Sequence, residues 1–287
     1  MKKVTLFLAV ILLVTGCAKK EALVPVRVRI NEFSISQEEF PSKTGTDVAD
    51  YSGVKAITLA FYRPNGTEQC KIIQLREDAS TYTTFGEFDL SLPMGSYTMV
   101  VLGYGLNEGE PAITLNSPTE ATFGDYPARE TFVATQAVNI TNTDALELNA
   151  TLNRVVAKLK VLSTDGRTAN AHSVRLTTSG GSKAFNPSTG LATSNTGFSN
   201  TLNITGTAVG NVAGPVSYIF LATDEQTVNV TIDVLDENNQ TISHKVVNNV
   251  PLQRNRMTKL VGSIFTASGD GSFQVETEWL PETEVNF

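Results

Sequence analysis

The chain has 287 residues, 22 Lys and Arg against 29 Asp and Glu, a net charge of −7, two cysteines and two histidines. No cluster of basic residues is present to displace counterions from phosphates, which excludes nucleic acid as a partner class. A chain of this length holds one large or two medium domains, each able to bury its own core.

Met1, Lys2 and Lys3 form a short positive segment ahead of an apolar run from Val4 to Val14. Crossing a bilayer takes about 20 apolar residues, so the shorter run reads as a secretory signal rather than a membrane span. It ends in Val14-Thr15-Gly16-Cys17, which resembles the lipobox of bacterial lipoproteins. The resemblance implies cleavage between Gly16 and Cys17, a signal peptide over 1–16, and a lipidated tether over 17–23 whose Cys17 carries diacylglycerol and palmitate-type acyl chains. Ala18 in place of an aspartate implies sorting to the outer membrane. Lys19 and Lys20 precede Glu21, in place of the acidic cluster that serves some Bacteroidetes lipoproteins as a surface signal, so the membrane face stays open. With Cys17 acylated, Cys70 is the one remaining thiol and an intramolecular disulfide is excluded. In Gln69-Cys70-Lys71-Ile72-Ile73 it reads as a small buried hydrophobe of a strand.

Beyond the leader, nearly every strong pattern has period two and no window of a dozen residues forms an amphipathic helix, so the chain is expected to be all-β. Val24, Val26, Val28 and Ile30 alternate with Pro25, Arg27, Arg29 and Asn31, a strand with one buried face and both guanidinium groups in water. A polar loop from Gln37 to Tyr51 follows. Val54 to Tyr62 and Gln69 to Leu75 read as a hairpin closed by Pro64-Asn65-Gly66. Phe85 to Leu92 and Tyr97 to Gly103, around Pro93-Met94-Gly95, read as a second hairpin. Glu130 to Ile140 and Leu146 to Leu152 complete a first unit.

Arg154 to Leu162 starts a second β unit, and a Thr-, Ser-, Asn- and Gly-rich section from Thr177 to Gly214 interrupts it. Tyr218 to Ala222, Val228 to Leu235, Ile242 to Val250, Lys259 to Phe265 and Phe273 to Trp279 supply its later strands. With a boundary near Ala150, the chain divides into β-sandwich domains over 24–150 and 151–287, of ordinary domain size.

Catalytic chemistry is hard to find. His172 and His244 sit in strand-like contexts next to Ser or Lys, outside any zinc spacing. The stretch from Gly103 to Gly109 misses the dinucleotide-loop spacing and is expected to be a strand end; Ser179-Gly180-Gly181-Ser182-Lys183 misses the phosphate-loop spacing. No nucleophile elbow occurs. The run Asp236-Glu237-Asn238-Asn239-Gln240 lacks the glycine and distal glutamate of a calcium loop and reads as a hairpin turn. No catalytic, cofactor or metal site is therefore expected. Trp279 and Tyr104 are the aromatics considered for stacking on a sugar.

Three segments resemble the Bacteroidetes fimbrillin superfamily, or type V pilins: Phe88-Asp89-Leu90-Ser91-Leu92-Pro93-Met94-Gly95-Ser96-Tyr97, Leu152-Asn153-Arg154-Val155-Val156-Ala157-Lys158-Leu159, and Asn248 through Gly262. The resemblance implies two tandem transthyretin-like β-sandwich domains with Greek-key-type connections. It also implies a fimbrial anchor or accessory lipoprotein, held to outer-membrane lipid by Cys17 and joined to other fimbrial subunits by strand complementation. The strand retained or removed in such assembly would be Val24 to Ile35, with Lys43 a weak cleavage point, and Leu280 to Phe287 a short donor-strand candidate. The alternative function is a non-catalytic surface lipoprotein that binds glycans.

Overall fold

The computed structural model describes residues 22–35, 44–48, 50–266 and 273–277. Within them the chain is all-β, its one helical element the 3-10 turn Ala79–Thr81. The first half runs β1 (Leu23–Ile35), β2 (Thr44–Asp47), β3 (Ala56–Tyr62), β4 (Glu68–Leu75), β5 (Glu87–Pro93), β6 (Gly95–Tyr104), β7 (Thr114–Ser117), β8 (Glu120–Thr122), β9 (Thr131–Ile140) and β10 (Leu146–Arg154). The second runs β11 (Ala157–Ser163), β12 (Ser173–Thr178), β13 (Ala184–Asn186), β14 (Leu191–Ala192), β15 (Phe198–Asn203), β16 (Val216–Ile219), β17 (Glu225–Leu235), β18 (Thr241–Gln253), β19 (Met257–Gly262) and β20 (Gln274–Thr277).

In the first half, β4-β3-β6-β9 and β10-β1 with β2 and β5 belong to one eight-stranded sheet. β9 and β10 share only the rungs Asn153↔Val133 and Arg154↔Phe132, so the sheet folds over at that seam into a sandwich. Between its layers lie Val24, Val26, Val28 and Phe33 of β1, Ile57, Leu59 and Phe61 of β3, Met99 and Val101 of β6, and Leu148 and Leu152 of β10. Burying each such side chain contributes about 1.5–3 kcal/mol.

β3 is buried at all seven positions. Its odd residues face this core, while Ala56, Ala60 and Tyr62 face a further cluster that draws on both halves of the chain. The physical basis is a small sheet, β14-β13-β8-β7, in which Phe185 of the second half pairs with Ala121 of the first. There Phe185 stacks on Phe220 at 4.2 Å, and Phe123 on Phe220 at 6.3 Å. The second sandwich packs β16-β11-β19-β20 over β15-β12-β17-β18 around Leu159, Val161, Leu176, Ile232, Val250 and Leu260.

The turn at Pro64-Asn65-Gly66 closes the β3–β4 pair, with the Gly66 N–H donating to the Arg63 carbonyl. The second expected hairpin does not form. β5 pairs with β1, and β6 pairs with β3 and β9, so Pro93-Met94-Gly95 is a corner that carries the chain from one layer to the other. Gly95, at φ 151°, supplies a backbone geometry that a side chain resists. The Thr177–Gly214 section holds β13, β14 and β15 and the end of β12. Ala150 lies inside β10, and the side chains pass from the first core to the shared cluster at Val155 and Val156.

Candidate functional site

Two places combine position with chemistry: the slot of the first half that holds β1, and a cleft where the halves meet. β1 lies parallel to β10 from Val26↔Leu146 to Ser34↔Asn153. Its other edge is antiparallel to β5 over Leu23–Arg29 and to β2 over Glu32–Ile35. Both edges of the strand are thus hydrogen-bonded, although β1 is the earliest strand among the described residues. Pro25 pairs with Ser91 before the β10 rungs begin, so its missing N–H removes nothing from the parallel ladder.

A register shift between Ile30 and Glu32 inserts one residue and reverses the inward set from even to odd positions. Phe33 rather than Glu32 therefore enters the core, its ring 4.9 Å from Phe132 and 5.7 Å from Tyr51. Gly103 of β6 makes room for that ring, since a Cβ there would stand 2.8 Å from Phe33 Cε1. Arg76 secures the loop alongside by donating to the carbonyls of Val48 (2.8 Å), Tyr51 (3.1 Å) and Val54 (2.7 Å), with its guanidinium 4.2 Å above the Phe85 ring. Burial lowers the Arg76 pKa from its ordinary value.

On the outward face Arg27 lies opposite Asp89 and Arg29 opposite Glu87 on β5. The contacts are 2.6 Å and 3.3 Å, all four side chains being solvent-accessible as expected for the two guanidiniums. On the β10 side Arg27 lies opposite Glu147. The hydrogen bond from Arg27 holds the Asp89 carboxyl below the usual carboxylate range, and the same bond raises the Arg27 pKa.

The cleft has a volume of about 810 Å³ and is bounded by β9, β10 and turns of the second half. Amides line it at Gln136, Asn149, Asn153, Gln253 and Asn255, and hydroxyls at Ser34, Thr135 and Thr151. At its edge Arg154, nearly buried, pairs with Glu130 at 2.7 Å and donates to Tyr51 Oη (3.0 Å) and Asn255 Oδ1 (3.2 Å). This network ties a loop of the first half to the β18–β19 turn of the second. Burial, followed by the Glu130 charge, pushes the Tyr51 hydroxyl far above its ordinary pKa.

Cys17 and Gly16 lie outside the described residues, as do Lys43, Trp279 and Leu280 to Phe287. Tyr104 is fully buried with its hydroxyl 3.1 Å from Thr58 Oγ1, which overturns its consideration as a sugar platform. The stretch from Gly103 is the end of β6, as expected. His172 precedes β12 instead of lying in a strand, and His244 projects from β18 onto Asp233 at 2.6 Å. Asp233 also accepts from Arg175 at 2.8 Å. Burial raises its pKa, but the bonds from His244 and Arg175 outweigh that and leave it lowered. Asp236 accepts from the N–H groups of Asn238 and Gln240, so the run at 236–240 is a hairpin turn using its own carboxylate. Cys70 is half-buried in β4 against the core, and burial raises its pKa. Among the described residues no three His, Cys, Asp or Glu come together to hold a metal ion. The seam between β9 and β10, and the cleft beside it, carry no signal in the sequence: they arise where one sheet divides.

Residues 32–286 match a family of unknown function, DUF6562. No protein of curated function matches the sequence. A candidate adhesin from Bacteroides ovatus is similar in structure, with a TM-score of 0.55 at 11% identity, covering 91% of this chain and 97% of that one. A second, from B. ovatus ATCC 8483, has a TM-score of 0.50 at 13% identity, over 80% and 83%. The fimbrial anchor protein Mfa2 from Porphyromonas gingivalis gives 0.48 at 13%, over 90% and 98%. The two B. ovatus structures share the all-β sandwich fold of this chain, as the resemblance of its three segments implies.

Proposed function

The chain belongs to DUF6562, and from that premise we propose that it is a structural, non-enzymatic subunit of a fimbria-like filament at the cell surface, joined to other subunits by strand complementation. The observation that carries this reading is β1 itself, a strand hydrogen-bonded along both edges, with Val24, Val26, Val28, Ile30 and Phe33 buried. Withdrawing such a strand bares an apolar trough between two unpaired strand edges, and a strand from a neighbour satisfies both together. The candidate-adhesin descriptions of the two B. ovatus proteins support the same role.

In this proposal acyl chains on Cys17 anchor the subunit in the outer membrane, at about 0.8 kcal/mol per buried methylene, and 24–150 and 151–287 form tandem domains. The test is extraction of the native protein from outer membranes without boiling, followed by mass spectrometry of SDS-resistant species. Co-migrating fimbrial subunits support the proposal, and a lone monomer removes it. Cys17→Ala is expected to abolish membrane attachment; unchanged fractionation would remove the anchor.

Glycan binding is the second reading. It is favoured by the amide- and hydroxyl-lined cleft, because each amide offers a donor and an acceptor to sugar hydroxyls. Weakened retention of Asn149→Ala on a glycan array, relative to the parent, is its expected signature; a parent that retains no glycan rejects it.

A further inference from the structure

The inner face of the slot sets only an apolar period, which many strands satisfy, whereas its outer rim carries a sign. Glu87 and Asp89 of β5 stand on one side, and Glu147 of β10 on the other. The strand now in the slot answers them rung by rung: Arg27 lies between Asp89 and Glu147, and Arg29 opposite Glu87. Cross-strand neighbours of opposite charge favour a register, and like charges placed directly opposite oppose it. The slot is thus acidic at two successive outward positions, in a chain that is acidic overall.

We infer that the slot selects its occupant by charge: a complementing strand from another subunit carries basic residues at the two outward positions now held by Arg27 and Arg29. This rests on the strand-complementation reading and names the partner's chemistry. An acidic strand of the same apolar pattern would set carboxylates against Asp89, Glu87 and Glu147, whereas a basic one recovers the pairs that Arg27 and Arg29 make. The pairs are exposed, so the preference weakens as salt screens them.

The experiment uses the whole folded chain with a protease site introduced between residues 36 and 43, cut after folding so that every residue is still present. Three fluorescent peptides are offered in excess: the β1 sequence Leu23–Ile35, the same with Arg27→Gln and Arg29→Gln, and the same with Arg27→Glu and Arg29→Glu. The native peptide is expected to exchange into the slot, and the double-Glu peptide to enter at least roughly fivefold more weakly, with the double-Gln peptide between them. The spread should shrink at about 0.5 M salt, and should collapse when the nicked chain carries Asp89→Asn and Glu87→Gln. Equal entry of all three peptides overturns charge selection and leaves strand insertion standing. Exclusion of all three, the native sequence included, overturns the strand-complementation reading and this inference with it.

Discussion

Both sandwiches begin with a strand laid parallel to a late strand of the same half, β1 on β10 and β11 on β19, and they hold those strands differently. β11 is continuous with described structure at both ends, and its parallel pair is latched just beyond its last residue. There the Asp165 carboxylate accepts from Ser263 Oγ at 2.7 Å and from the N–H groups of Ile264, Phe265 and Thr266 at 2.8–2.9 Å. β1 has no comparable latch among the described residues. Its hold comes from side chains in the trough, from two ladders and from exposed ion pairs. The same pairing geometry is therefore latched in one half and held, among the described residues, by side chains and ladders in the other, the contrast that the proposed exchange of β1 draws on.

Phe33→Ala attacks that contrast hardest. It is expected to cost about 3–5 kcal/mol and to speed amide exchange in β1 ahead of the rest of the first sandwich. Leu159→Ala in β11 should cost about 2–5 kcal/mol and act on the second core as a whole, with no selective exposure of its strand. Equal local exposure of β1 and β11 would erase the distinction. Gly103→Ala, which drives a methyl toward the Phe33 ring, is expected to cost about 1–3 kcal/mol in urea unfolding and to loosen β1 without altering β19 protection.

Asp165→Asn sharpens the other side of the contrast. Burial raises the Asp165 pKa, but the bonds from Ser263 and the three backbone N–H groups outweigh it and leave it lowered. A lowered folded pKa adds stability that is fully present above the unfolded value of about 3.9 and disappears as pH falls through the folded one. The variant should therefore lose about 1–2 kcal/mol near pH 6, with the gap to the parent narrowing progressively as pH falls below about 3.9, as read from urea midpoints. A gap that persists in acid would reject the latch. The smallest effect belongs to Arg27→Gln, whose exposed pair with Asp89 should lower the thermal midpoint of the isolated chain only slightly, in step with the small weakening expected of the double-Gln peptide.

Much of this was legible in the residues, for identifiable reasons. Val24, Val26, Val28 and Ile30 announced β1 because one face of a strand was to be buried, but the inserted residue near Asn31 that brings Phe33 inward left no periodic trace. Pro93-Met94-Gly95 misled because the residues that close a hairpin also turn a corner between layers, and only the partners of β5 and β6 distinguish the two. β13 to β15 were hidden in polar sequence, since each is short and fully buries at most one side chain. The acidic rim was invisible, because Glu87, Asp89 and Glu147 meet only through the register of three strands far apart in sequence.

The orientation of β1 also has a mechanical meaning. A load applied at residue 22 along the strand axis stresses the β10 rungs on one edge and the β5 and β2 rungs on the other in shear, so many bonds must yield together. Peeling the same strand sideways would break them singly. Force delivered lengthwise thus meets the stiffest response the slot can give, while the Phe123–Phe220 contact and the Ala121↔Phe185 rung join the first half to the second.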